Sequence, residues 1–165
     1  MTLAEAAAQA DALAESGDAR ALAQLRAKWD DDIEADARNA DYRVRSQAYR
    51  AIAQFRFRQK LELLRRGLED DSPAARGSAL IALEALSRDH PGDVNSFRPL
   101  LHELAARDPN AAVRRLAVIC LKNGTAQRDT IQLLEGIGES DDADADLRKT
   151  ARAVSAALRK RATAK

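Results

Sequence analysis

The sequence predicts an all-α protein, an α-solenoid of about four helical hairpins, and three observations carry that expectation. Aromatics are only 4% of the 165 residues, and seven glycines with four prolines leave few places for strand-and-turn punctuation in a chain rich in Ala, Leu and Arg. A short motif recurs: Asn39-Ala-Asp-Tyr-Arg-Val-Arg45, Asp70-Asp-Ser-Pro-Ala-Ala-Arg76, Asp108-Pro-Asn-Ala-Ala-Val-Arg114 and Asp142-Ala-Asp-Ala-Asp-Leu-Arg148. Each sets an Asn or Asp six residues ahead of an arginine, and the arginines are 31, 38 and 34 residues apart, the period of a repeated two-helix unit. Beyond each arginine the apolar residues keep a helical register.

Counted from the arginine, positions −1, +3, +7 and +10 fall within roughly 80° of one another on a helical wheel. Of the sixteen residues so placed only Gly124 and Ser155 are not apolar, which predicts a face buried against neighbouring helices. The +3 column is Ala48, Ala79, Ala117 and Ala151, small enough for helices to approach closely. Ahead of each motif lies the apolar stripe of a first helix: Leu22, Leu25, Trp29 and Ile33; Leu61, Leu64 and Leu68; Leu100, Leu101 and Leu104; Ile131, Leu134 and Ile137. Asp18, Asp41 and Asp146 are expected N-caps, and Pro73 and Pro109 fall in turns, where a missing N–H costs least. Thr2-Leu-Ala-Glu5 reads as a capping box that opens a helix closing the exposed end of the stack. The expected organisation is one domain over residues 1–165, with a capping helix at 2–16 and repeats at about 18–56, 57–88, 95–123 and 125–161.

These residues resemble the HEAT repeat family, in which an apolar first helix leads through a turn of the form Asp-Pro-x-x-x-Val-Arg to a second helix carrying a small residue. Asp108 to Arg114 matches that turn most closely, and the resemblance runs over residues 18–161. It implies a scaffold for partners, with the second helices lining a concave surface.

No catalytic, cofactor or metal site is expected. The HEAT-fold deoxyhypusine hydroxylases bind iron through several His-Glu pairs, whereas here His102-Glu103 stands alone and Pro91 follows His90. Two acidic stretches, Asp30 to Asp36 and Asp142 to Asp146, lack the glycine a calcium loop needs at its sixth position and read as a solvated face and an N-cap. Trp29, in an apolar stripe, is a packing residue, and Cys120 among Ala117, Val118 and Leu121 is a small hydrophobe. The four aligned arginines are expected to pair with the recurring Asn and Asp residues as an internal ladder. One cysteine, no basic-apolar leader and no apolar run of about 20 residues make a cytoplasmic protein outside the membrane the expectation.

Positions +1, +5, +8 and +12 of the second helices should face away from the core. They are Ser46, Arg50, Ala53 and Phe57, then Gly77, Ile81, Glu84 and Arg88, then Arg115, Ile119, Lys122 and Ala126, then Lys149, Ala153, Ala156 and Lys160, six basic residues against the one acidic Glu84. Ile81 and Ile119 add apolar spots, so the resemblance places Arg50, Ile81, Arg88, Arg115, Ile119, Lys122, Lys149 and Lys160 on a basic trough. Residues 1–41, with 4 basic and 10 acidic side chains, contrast with residues 147–165, with 7 basic and none acidic, beneath a net charge of +1. The expected function is a non-catalytic scaffold or adaptor binding a protein partner, an acidic one, through this face. The alternative is a nucleic-acid binder with a surface similar to that of the HEAT-like DNA glycosylases, which so small a net charge and so few aromatics disfavour.

Overall fold

The computed structural model describes residues 1–164. Among them are nine α-helices, a single 3₁₀ turn and no strand: α1 (Leu3–Ser16), α2 (Ala19–Asp36), α3 (Tyr42–Gln54), the 3₁₀ turn (Arg58–Lys60), α4 (Leu61–Leu68), α5 (Pro73–Ser87), α6 (Pro91–Arg107), α7 (Ala111–Leu121), α8 (Arg128–Gly138) and α9 (Ala145–Thr163). After α1 the helices form hairpins, α2 with α3, α4 with α5, α6 with α7 and α8 with α9. They gather into two compact units, Met1–Leu86 and Ser87–Lys165.

In the N-terminal unit α1 packs on α2 and α3. Its capping box forms as expected: Glu5 N–H donates to Thr2 Oγ1 at 3.2 Å and Thr2 N–H to Glu5 Oε2 at 2.8 Å. At the other end Gly17 adopts φ 77°, a left-handed conformation that glycine reaches without Cβ strain, and Asp18 N–H returns to Leu13 O. The end of α3 makes the same kind of turn with Arg56 at φ 51°, where a side chain costs energy. Phe57 N–H bonds Ile52 O and Arg56 N–H bonds Ala53 O, while the carbonyls of Phe55 and Arg56 accept from the Arg26 guanidinium of α2. The Arg56 guanidinium in turn reaches Asp11 and Glu15 of α1, at 2.7 and 3.1 Å. One strained residue thereby ties three helices together.

The predicted inward stripe is buried at every position except Val44, which is half-exposed. The small column works as read: a Cβ on Gly67 would lie 2.8 Å from Ala79 Cβ and 3.0 Å from Tyr49 Cζ. The outward set is corrected at Ala53, Phe57 and Gly77, all buried. At Phe57 the cause is local, because α3 ends before that position and the turn at Arg56 swings the ring inward. Asp18 and Asp41 cap as predicted, but the N-cap of α9 is Asp144, whose Oδ1 accepts from Leu147 N–H at 2.7 Å. Asp146 instead lies in the first turn, where its charge suits the helix dipole. The helix α6 begins at Pro91, ahead of the expected residue 95, because a proline with preset φ opens a helix at no hydrogen-bond cost.

The α7 and α9 stripes supply a direct test of facing. Ala117 is fully buried and Ala156 exposed. In urea denaturation Ala117→Leu should lose about 1–3 kcal/mol through overpacking and Ala156→Leu less than about 0.5 kcal/mol; equal losses would contradict the assignment.

Candidate functional site

The recurring arginines do their work at the turns. Arg45 Nη1 donates to the carbonyls of Asn39 and Ala40, both at 2.9 Å, and Arg76 Nη1 to Asp70 O at 2.9 Å. Arg114 Nε donates to Ala105 O at 2.9 Å, and Arg148 Nη1 to Ala143 O. Each guanidinium, on the first turn of its second helix, reaches back to carbonyls at or before the hairpin turn and fixes the angle at which the helix enters. The side-chain ladder is realised at Arg45, which grips Asp70 of the following repeat through two parallel bonds of 2.8 Å. It is not repeated at Arg114, which forms no ion pair with Asp142 among the described residues; Asp142 is exposed.

Asp70 is nearly buried, and Tyr49 Oη lies 3.4 Å from its Oδ2. Burial pushes the Asp70 pKa up, but bonds from Arg45 and from Ser72 N–H outweigh it and hold the carboxyl below its ordinary value. The Tyr49 hydroxyl moves the other way, raised by burial and then by the Asp70 charge.

The acidic stretch of α2 is not wholly a solvated face. Buried Lys60 donates to Asp30 Oδ1 and, at 2.8 Å, to Glu34 Oε1, with its ammonium 4.7 Å from the Phe57 ring centroid. The hydrogen bond from Lys60 lowers the Glu34 pKa. Asp31 and Asp32 remain exposed, and Asp36 is raised by burial and by the nearby Asp32 charge. Trp29 is half-exposed within its apolar stripe, its Nε1 shielded and without a hydrogen-bond partner. On α6, half-buried His102 has Nε2 2.8 Å from Thr130 Oγ1 of α8, and burial lowers its pKa. Among the described residues no three His, Cys, Asp or Glu side chains gather as metal ligands, and no helix is long and apolar enough to cross a membrane.

The sequence-predicted surface residues fall in both units. In the N-terminal unit Arg50 is exposed on α3 and Ile81, 43% exposed, on α5. In the C-terminal unit Arg88 is exposed in the turn after α5. Arg115 and half-exposed Ile119 stand on α7, Lys122 just beyond it, and Lys149 and Lys160 on α9. The two second helices α7 and α9 pack side by side and are tied at both ends. Near their starts Arg115 Nε donates to Thr150 Oγ1 at 3.0 Å; near their ends Arg161 donates to the carbonyls of Gly124, at 2.7 Å, and Lys122. They therefore run parallel. Lys122, Lys149 and Lys160 are exposed and form no ion pair among the described residues. The Arg161 tie escaped the sequence reading, since a basic residue on a polar face carries no signal of its carbonyl partners.

Successive helical hairpins, with the second helices α7 and α9 packed side by side in the C-terminal unit, define the class: an α-solenoid of helical hairpins. Residues 33–102 match the family model of HEAT repeats, so that segment is similar to HEAT repeats. The matched segment includes the turns at Asn39 and Asp70, and stops before Asp108. No curated protein matches the chain. HEAT repeats generally serve as scaffolds for protein–protein interaction.

The ion pairs of Asp70 and Glu34 give stability a defined acid dependence. Both folded pKa values lie below ordinary carboxylate values, so this contribution is complete above about pH 4 to 5 and fades as pH falls through the folded values. The urea midpoint should drop below about pH 4. Asp70→Asn should lose about 1–3 kcal/mol at neutral pH and show a shallower acid drop. An unchanged acid profile in the variant would show that Asp70 is not a source of the dependence.

Proposed function

We propose that this protein is a non-catalytic scaffold that binds an acidic protein partner through the basic face of its second helices. The principal contact is Arg115, Ile119, Lys122, Lys149 and Lys160 of the C-terminal unit, which also carries exposed Arg88, with Arg50 and Ile81 offering a smaller contact in the N-terminal unit. The observation that carries this reading is the lack of acidic partners for Lys122, Lys149 and Lys160 beside the half-exposed Ile119. Several cations elsewhere are engaged: Arg45 by Asp70 and Asp71, Arg56 by Asp11 and Glu15, Lys60 by Asp30 and Glu34, Arg159 by Glu135. Unpaired charge around a small apolar centre suits a protein interface whose charges steer approach and whose apolar contact sets residence time. A reducing, cytoplasmic setting fits a lone buried thiol at Cys120.

The nucleic-acid alternative draws on the same cations but lacks a stacking platform. Tyr42 is the one exposed Phe, Trp or Tyr ring among the described residues, and it lies on α3 rather than on α7 or α9.

Surface plasmon resonance against the partner captured from native extract, after nuclease treatment and at two salt concentrations, tests this reading. Arg115→Glu with Lys122→Glu should slow association and flatten its salt dependence, Ile119→Ala should mainly speed dissociation, and Asp31→Lys on α2 should do neither. Weakening by Asp31→Lys with no effect of the α7 reversals would move the interface to the acidic helix. Loss of capture on nuclease treatment would favour nucleic acid.

A further inference from the structure

We infer that the parallel pair α7 and α9 is a seat for a short acidic amphipathic helix of the partner, an inference that rests on the basic-face reading and specifies its ligand. Among the exposed residues of α9, Lys149, Ala153, Ala156 and Lys160 stand at spacings of four, three and four, behind exposed Asp146 in the first turn. Along α7 and its C-cap, exposed Arg115, half-exposed Ile119 and exposed Lys122 follow at four and three. Alternating steps of three and four draw one straight stripe along a helix, the pattern by which helices seat against each other. The bonds from Arg115 to Thr150 and from Arg161 to the end of α7 hold the two stripes side by side with their ends aligned.

The resulting surface has a chemical order along its length. Cations stand at both ends, Arg115 with Lys149 and Lys122 with Lys160, and the middle is floored by Ile119, Ala153 and Ala156. Small floor residues let a second backbone come close. The eleven-residue step from Lys149 to Lys160 spans about 16 Å of helix. A complementary ligand is a helix of three to four turns with carboxylates near both ends and apolar side chains between them. A nucleic-acid strand would set phosphates over the uncharged floor as well as over the cations, with no ring there to stack on. An extended peptide would find no strand edge among these helices to continue its hydrogen bonds.

Selection from a displayed library of helical peptides about 15 residues long, with the whole chain as bait, tests the seat. The enriched peptides should carry Asp or Glu about three turns apart around an apolar centre. Their affinity, read by fluorescence anisotropy, should fall about tenfold or more on Lys149→Glu with Lys160→Glu, and again on Ala153→Glu with Ala156→Glu. Thermal unfolding of both variants should stay near that of the parent, since all four positions are exposed. No enrichment, a different consensus, binding that survives both variants, or displacement of the peptides by a single-stranded oligonucleotide that binds more tightly would each overturn the inference. If the captured partner still depends on Arg115 and Lys122 while no helix is selected, the basic-face reading stands and the helical ligand falls.

Discussion

The arginine that opens each second helix is the constraint on which the rest of this structure depends. A helix entering from a turn can rotate about its own axis, and a rotation of one residue would carry an alanine column out of the core and a lysine into it. Arg45, Arg76, Arg114 and Arg148 remove that freedom by bonding carbonyls at or before their own turns. With the phase fixed, the residues three and seven positions on are buried in all four second helices. The opposite face is then turned outward along most of its length. The surface proposed for binding is thus a consequence of the core.

A second constraint is the way charge is apportioned. In the N-terminal unit four cations serve the fold: Arg26 caps the end of α3, Arg56 holds the capping helix, Arg45 joins successive turns and Lys60 is buried against two carboxylates. Such pairs need close geometry to offset the loss of hydration, and these have it. In the C-terminal unit the order changes. Arg159 and Arg161 are engaged with Glu135 and with the end of α7, while the lysines on the outward stripes form no ion pair among the described residues. A near-neutral total therefore conceals a local positive field around an uncharged floor, the arrangement that speeds encounter with an acidic partner.

The fold was legible where one physical rule acts alone. Helical period decided the buried stripe, the Thr2 capping box marked the start of α1, and Asp18 and Asp41 announced their helices. Legibility failed where tertiary geometry intervened. Phe57 was counted on a helix that ends at Gln54, since nothing in Gln54-Phe-Arg-Phe57 signals an arginine in a left-handed turn. Asp144 and Asp146 are equally good caps by type, and only the backbone chooses between them. Lys60 draws two of the five acidic residues in an apparently solvated stretch onto a buried ammonium from 26 and 30 residues away. The surface set was legible as a column of positions; the ties that hold α7 and α9 parallel were not, because hydroxyl and carbonyl acceptors leave no trace in composition.

Lysine acylation read by mass spectrometry, with and without the captured partner, tests the central claim most directly because it asks every surface ammonium at once. Lys122, Lys149 and Lys160 should react readily in the free protein and become protected in the complex. Exposed Lys28 on α2 should react equally in both, and buried Lys60 in neither. Protection of Lys28 with undiminished labelling of the other three would contradict the account.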